Sequence, residues 1–308
     1  MEEPREQSVC VAIPCYNEEL TVGKVITDFR EKIPNAAIVV LDNNSTDATG
    51  EVARSNGARV IFEPRQGKGN AIQAIFQKVD CDVIVMVDGD DTYPAEEVHK
   101  VLAPVLQGEA DMVVGSRLEG ADGNAFPSLH RFGNRLLTGL LNKSFGSSFR
   151  DILSGYRAFS KNFIRHVPLV TPGFEIETEL TLQALACDML VKEVPVHYRT
   201  RPPGSQSKLR SFADGYRILM TIAVLLRDRR PLAVFSTAAI FLAVIAFAGI
   251  SMDAVGADTM TPLGRWWLRM ASIWCLSVSA LSLASGFILN AINTRFREMR
   301  SLAQRYPR

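Results

Sequence analysis

Residues 83–91 read Val-Ile-Val-Met-Val-Asp-Gly-Asp-Asp, and Tyr93, Pro94 and a helical pattern over 95–106 follow. Five apolar residues in a row, without alternation, describe a strand covered on both faces, as in a mostly parallel sheet. The carboxylates that close the run then stand at the carboxyl end of a strand, the edge at which open α/β sheets bind their ligands. Working outward, similar short runs at 9–13, 38–41, 59–62 and 112–114 alternate with helical patterns over 21–32, 47–55 and 70–78. Val22, Val25, Ile26 and Phe29 fall on one stripe of the first helix. The alternation predicts an α/β, Rossmann-like domain with a mostly parallel sheet.

Beyond residue 128 the pattern changes. A helix bearing arginines is expected over 130–143, a loop over 149–159, an acidic helix over 174–186 and a strand over 190–199. The segment 201–208 is polar and rich in Pro, Gly and Ser, which marks a loop. Residues 232–250 carry no charge and reach roughly 28 Å as a helix, close to the thickness of a bilayer core. A second uncharged run covers 270–293. Arg227, Arg229 and Arg230 precede the first run, and Arg295, Arg297, Arg300, Arg305 and Arg308 follow the second. The positive-inside rule then places both ends in the cytoplasm. Residues 209–226 are apolar but too short at their densest to span, so they read either as an amphipathic helix in the interface or as a helix packed on the soluble domain. The expected organisation is a catalytic domain over 1–208, a juxtamembrane helix over 209–230, a transmembrane hairpin over 231–294 and a basic cytoplasmic tail over 295–308.

Composition narrows the class further. A formal net charge of +1 over 308 residues gives no global attraction to nucleic acid. The five cysteines are scattered and odd in number, which argues against a disulfide framework or a zinc site and points to a reducing compartment. Residues 1–8 are charged and show no apolar signal core, so the catalytic part is expected in the cytosol.

Asp88 and Asp90 offer hard oxygens to Mg²⁺ or Mn²⁺, ions that take one or two protein carboxylates and share the rest of their sphere with substrate phosphates and water. The alternative for an isolated Asp-x-Asp is a solvated turn that caps the next helix. Polar residues follow the other strands as well: 14–19 after the first, 42–47 after the second and 65–70 after the third. All face one crevice. A nucleotide there needs a walling ring (Tyr16), acceptors for base or ribose (Glu18, Asp42) and a cation near the phosphates (Lys68). Asn44 to Asp47 reads first as a helix cap. Gly67-Lys68-Gly69 lacks the Walker spacing and no glycine fingerprint follows the first strand, so neither a P-loop ATPase nor a dinucleotide enzyme is supported. Glu175, Glu177 and Glu179 read as acids that favour a helix start. The four histidines share no spacing and receive no chemistry.

Residues 12–19 (Ala-Ile-Pro-Cys-Tyr-Asn-Glu-Glu), 41–47 (Leu-Asp-Asn-Asn-Ser-Thr-Asp), 87–90 (Val-Asp-Gly-Asp) and 151–159 (Asp-Ile-Leu-Ser-Gly-Tyr-Arg-Ala-Phe) together resemble family 2 glycosyltransferases of the dolichyl-phosphate mannose synthase type. The resemblance covers roughly residues 8–210. It implies a GT-A fold, a divalent metal and inverting transfer from a nucleotide-sugar, UDP- or GDP-linked, to a polyprenyl phosphate in the membrane. By matching motif, Pro14, Tyr16, Glu18, Asp42, Lys68, Asp88 and Gly89 would hold the donor, and Asp88 and Asp90 the metal. Arg117, Arg131, Arg135, Ser207 and Lys208 resemble the residues that bind the acceptor phosphate, with Arg117 and Arg131 aiming it at the sugar. The chain departs from the mannose synthases at Thr92, where they carry a Gln, which leaves the third metal ligand open. No Gln-x-x-Arg-Trp signature of processive synthases occurs, so a single transfer is implied. Alternatives are a tethered transferase for a glycan, protein or neutral lipid, and a binding module without turnover.

Overall fold

The computed structural model describes residues 7–121, 138–139, 141–143, 146, 148–203, 211–255 and 261–305. The chain divides into two compact units, Met1–Ile222 and Ala223–Arg308. In the first, seven strands form one sheet: β1 (Val9–Cys15), β2 (Ala37–Asp42), β3 (Arg59–Phe62), β4 (Val83–Met86), β5 (Met112–Ala121), β6 (Arg157–Ser160) and β7 (Val191–Tyr198). Their spatial order is β3-β2-β1-β4-β6-β5-β7. β1 to β4 run parallel, β6 runs antiparallel to both its neighbours, and β7 is parallel to β5. The helices are α1 (Val22–Lys32), α2 (Thr49–Ser55), α3 (Lys68–Lys78), α4 (Val98–Leu106), α5 (Lys161–His166) and α6 (Ile176–Ala186).

Helices on both faces account for the unbroken apolar runs. Val11, Ile13, Val40 and Val85 pack into a core with Val25 and Phe29 of α1 and Val98 and Leu102 of α4. The intervening residues Cys10, Ala12, Val39, Leu41 and Ile84 pack on the opposite side with Ala71 and Ile75 of α3. Successive side chains of a strand point to opposite faces, so a strand covered twice must be apolar throughout. The chain places β2 and β3 on one side of β1 and β4 on the other. The strand order therefore reverses between β1 and β4, and the crevice at their carboxyl ends is a topological switch point.

One sequence expectation changes. The loop over 149–159 gives way to β6 at Arg157, because Arg157 is fully buried and its guanidinium is satisfied inside the protein. Its Nε donates to the Ser154 carbonyl (2.9 Å), one terminal nitrogen to Thr181 Oγ1 (2.9 Å) and the other to the carbonyls of Ile152 and Glu177 (2.8 Å each). Burial lowers its pKa to about 10 against the pull of Glu177 and Asp151. Cys10 of β1 and Cys81, just before β4, lie side by side with their Cα atoms 6.2 Å apart, although their sequence positions show no paired spacing. The segment expected as a basic tail over 295–308 is helical as far as Arg305, as the end of one helix of 44 residues.

The Gly67-Lys68-Gly69 turn permits a close approach of two backbone segments. Gly67 has φ +136°, and a Cβ there would run into the Pro172 carbonyl, while one on Gly69 would run into the carbonyls of Thr171 and Pro172. The amides of Gly69 and Asn70 donate to the Pro172 carbonyl at 2.8 and 3.2 Å. Gly69→Ala is expected to destabilise the chain by about 2–3 kcal/mol, as overpacking of a fitted contact does. Thermal unfolding checks this, and an unchanged midpoint would remove the packing role.

Helix α7 (Ser211–Arg229) buries Ile218 and Ile222 and exposes Tyr216, Leu219, Met220 and Val224. In the second unit α8 (Pro231–Val255) pairs with α9 (Pro262–Arg305). α8 and the Pro262–Phe296 part of α9 are long and apolar enough to cross a membrane. Only 11 % of the most apolar stretch of each is buried, whereas a core helix of a soluble protein would be mostly covered. Small and hydroxyl residues join the hairpin: Ser279 and Ser282 of α9 donate to the carbonyls of Ala239 and Phe235 at 2.7 and 3.0 Å, a common way for helices to associate in lipid. At its far end Asp253 binds Arg265 (2.9 Å) and Arg269 (2.8 Å).

Candidate active site

The switch-point crevice is built from loops that turn sharply as soon as each strand ends. Asn17, Asn44 and Asp91 have φ of 53°, 61° and 57°, a region that Asn and Asp enter more readily than other side chains. After β1, the backbone of Asn17 and Glu18 is pinned to the loop after β2: Asn17 N–H donates to Ser45 Oγ (3.0 Å) and Glu18 N–H to Thr49 Oγ1 (2.8 Å). Asp47 accepts from the amides of Glu19 (3.2 Å) and Thr49 (3.0 Å), so the segment read as a cap also ties two strand-end loops together. Asp42, at the end of β2, is paired in register with Cys15 and holds the Ser45 amide at 3.0 Å.

The Asp88-Gly89-Asp90 loop sits directly beside these. Val87 N–H donates to the Ala12 carbonyl (3.1 Å), and Thr21 Oγ1 donates to the Gly89 carbonyl (2.6 Å). A Cβ on Gly89 would strike the Cys15 sulfur, and one on Gly155 would strike the Asp88 carboxylate. The loop after β4, the end of β1 and the Ser154-Gly155-Tyr156 turn before β6 are thus packed face to face.

Asp90 is buried, with a side chain 4 % exposed. One carboxylate oxygen accepts from Thr92 Oγ1 (2.6 Å) and Thr92 N–H (3.3 Å), and the other meets the Arg201 guanidinium at 2.6 Å. Thr92 thereby orients Asp90. Burial and then the charge of Asp88 push the Asp90 pKa up, against Arg201, Thr92 and Lys68. Arg201 itself is held above its ordinary value: burial opposes its charge, but Asp90, Tyr198, Asp88 and Glu18 outweigh it.

Lys68 lies between two carboxylates, Asp88 at 2.6 Å and Glu177 at 2.5 Å. Burial works against the ammonium, yet Asp88 and Glu177 together raise its pKa. Glu177 stands in the first turn of α6, as its reading as an acid that favours a helix start expects, and is also a buried member of this cluster. Burial raises its pKa, Lys68 pulls it back and Asp88 adds to the rise.

Arg117, beyond the middle of β5, forms a two-pronged pair with Asp151: Nε at 2.6 Å and a terminal nitrogen at 2.9 Å, with its own amide at 3.2 Å from the same carboxylate. The guanidinium also lies 5.5 Å above the Tyr198 ring. Tyr93 is buried; its hydroxyl oxygen accepts from the Gly155 amide (3.1 Å).

The structure therefore gathers Glu18, Asp42, Lys68, Asp88, Gly89 and Asp90 at one strand-end crevice, together with Pro14 at the end of β1 and Tyr16 in the next loop. Arg131, Arg135, Ser207 and Lys208 lie outside the described residues. Sequence reasoning missed Arg201 and Glu177 as partners of the acidic cluster. Neither stands in a motif, and only the fold brings them to Asp90 and Lys68.

Comparison with known proteins follows the same geometry. The model for "Glycosyl transferase family 2" matches residues 10–167. Glycosyltransferase AglJ of Haloferax volcanii is 35 % identical over 235 residues, covering 76 % of this chain and 77 % of that one. A dolichyl-phosphate hexose transferase of the same organism is 33 % identical over 231 residues, 75 % of this chain and 99 % of its own length. Glucosyl-3-phosphoglycerate synthase of Mycobacterium tuberculosis, solved with Mn²⁺, UDP-glucose and phosphoglyceric acid, superposes with a TM-score of 0.61 at 24 % identity, over 72 % of this chain and 80 % of that one. The likeness to that structure shows the GT-A fold. With half of its length matched by the family model and relatives at this level of identity, the chain belongs to glycosyl transferase family 2.

Proposed function

We propose that this glycosyltransferase moves a single sugar, with inversion, from a UDP- or GDP-sugar to a polyprenyl phosphate at the cytoplasmic face of a membrane. The observation that carries the reading is the pair Asp88 and Asp90 at the switch-point crevice, in a chain whose two C-terminal helices are long and apolar enough to span a bilayer. The relative named as a dolichyl-phosphate hexose transferase supports the acceptor class. Bound Mn²⁺ and UDP-glucose in the structural neighbour support the donor and the ion. Arginines on both flanks of the hairpin favour both termini in the cytoplasm.

The donor set suits a hard divalent ion. Two carboxylates in one short loop, one of them buried and strained by the charge of the other, fit Mg²⁺ or Mn²⁺ that completes its shell with diphosphate oxygens and water. When bound there, the ion would supply charge neutralisation for the departing nucleoside diphosphate. Asp88 and Asp90 would hold it, with Thr92 fixing the orientation of Asp90. Tyr16, Glu18 and Asp42 would line the nucleotide.

The acceptor needs no general base. A phosphate monoester has its second pKa near 6, so its oxygen is already an anion at neutral pH. That oxygen attacks the anomeric carbon, the bond from this carbon to the diphosphate oxygen breaks, and the nucleoside diphosphate leaves with the electron pair. One in-line displacement inverts the carbon. Arg117 and Arg131 would aim the acceptor, with Arg135, Ser207 and Lys208 beside its phosphate.

The test is a donor panel, UDP-glucose, UDP-N-acetylglucosamine, UDP-galactose and GDP-mannose, given with Mn²⁺ or Mg²⁺ to the full chain in detergent. Short polyprenyl phosphate, diacylglycerol and phosphoglycerate are offered as acceptors, and products are read by mass spectrometry. A polyprenyl-phosphate-sugar from one donor is the expected product. Transfer to diacylglycerol or phosphoglycerate alone would overturn the acceptor assignment.

A further inference from the structure

The acidic cluster carries two cations of its own, and they are held differently. Lys68 is clamped from two sides by Asp88 and Glu177. Arg201 has a single ionic partner among the described residues, Asp90, and its side chain is 30 % exposed where that of Asp90 is 4 % exposed. The Asp90 oxygen that Arg201 occupies is also the one left over, since Thr92 takes the other at 2.6 Å. A metal ion binding Asp90 through that oxygen must take the place of the guanidinium.

Arg201 is also incompletely satisfied. One terminal nitrogen, Nη1, is buried and has no hydrogen-bond partner among the described residues, while Nη2 holds Asp90. A planar fork with one occupied and one orphaned prong suits an anion that offers two oxygens, such as a diphosphate. The backbone before it is anchored: Arg199 N–H donates to the Thr92 carbonyl at 2.9 Å. Arg201 precedes Pro202 and Pro203, which stiffen the chain on its other side. The side chain can therefore turn while its Cα stays beside the Asp88-Gly89-Asp90 loop.

Resting on the metal and donor reading above, we propose that Arg201 is the internal counter-ion of Asp90, keeping the divalent cation off the site until a nucleoside diphosphate arrives to receive the guanidinium. The exchange conserves charge. A divalent ion alone brings two positive charges against an arginine already in place, and Coulomb repulsion weakens it. An ion arriving with a diphosphate is neutralised by it, and Arg201 moves from one anion to another. Metal and nucleotide binding are then positively coupled, and by linkage the coupling is reciprocal.

The experiment is a titration of the full chain in detergent with Mn²⁺, reading free Mn²⁺ by electron paramagnetic resonance, without nucleotide and with UDP or GDP. Arg201→Gln is expected to bind Mn²⁺ alone roughly tenfold more tightly than wild type, a change of about 1.4 kcal/mol. It should also gain less from nucleotide. Arg201→Lys keeps the charge and should behave more like wild type, which separates loss of charge from loss of structure. If Asp90→Asn abolishes Mn²⁺ binding but Arg201→Gln leaves it unchanged or weaker, the exchange is wrong and the metal site stands. If Asp90→Asn binds Mn²⁺ as well as wild type does, the metal reading itself fails and the exchange falls with it.

Discussion

Asp90→Asn is expected to lower sugar transfer by roughly a thousandfold, the scale of losing a charge-stabilising contact to a developing anion, while leaving the metal-free protein at least as stable at neutral pH. Asparagine has the same shape and keeps an oxygen for the Thr92 hydroxyl, which now holds the carboxylate at 2.6 Å. What it removes is a buried charge, and with it the ionic partner of Arg201, whose side chain is 30 % exposed and can turn to water. Burial and the neighbouring Asp88 raise the folded pKa of Asp90 above 3.8. A raised carboxylate pKa means that the folded state binds the extra proton, so stability falls as pH climbs from the unfolded value through the folded one. The cost is therefore present at neutral pH, and the variant escapes it. Thermal midpoints in chelator at several pH values should show the variant gaining on wild type as pH rises from the carboxylate range. Retention of most transfer activity, or a lower midpoint at neutral pH, would contradict the assignment.

Arg117→Ala is expected to be the most destabilising single change at the site, by about 3–5 kcal/mol, because it leaves Asp151 charged and fully buried without its cation. Asp151 has the opposite sign of shift. Burial would raise its pKa, but the Arg117 charge and hydrogen bonds outweigh that and hold it below 3.8. Its contribution is complete above the unfolded value and is lost as pH falls through the folded one. Without that cation burial raises the Asp151 carboxyl instead, so the gap between wild type and Arg117→Ala should be largest where the variant's Asp151 is charged and should begin to close as pH falls through its raised value. The double variant Arg117→Met with Asp151→Leu should recover most of the stability, since replacing both members of a buried pair by apolar groups is often neutral. Activity is the further readout. A double variant that folds but does not transfer assigns Arg117 a part in aiming the acceptor as well as in the fold, whereas one that folds and transfers normally limits Arg117 to structure.

The core of this fold was legible because parallel strands between two helical layers have to be apolar along their whole length. That constraint identified β1, β2 and β4, and through them the edge on which Asp88 and Asp90 stand. β6 escaped for the converse reason. A fully buried arginine opens it, and Arg157 is tolerated only because carbonyls of Ser154, Ile152 and Glu177 and the Thr181 hydroxyl surround its guanidinium. Partners of that kind lie far apart along the chain and leave no local pattern. Glu177 was hidden similarly. α6 buries Glu177, Thr178, Glu179 and Thr181 along with its apolar residues, so no amphipathic stripe separates functional acids from solvated ones. Arg201 follows β7 in a segment whose composition says only loop, and the ion pair with Asp90 exists because β7 returns the chain to the Thr92 carbonyl.

The central claim is that the end of β4 holds a divalent cation beside a nucleoside diphosphate. A structure of the full chain with Mn²⁺ and the donor nucleotide, with the anomalous signal of manganese, tests it most directly. The account predicts a manganese peak roughly 2.0–2.3 Å from a carboxylate oxygen of Asp90, a range typical of hard divalent ions on oxygen, with the nucleotide between Tyr16 and Asp42. A peak elsewhere, or a nucleotide bound away from the ends of β1 and β4, would contradict it.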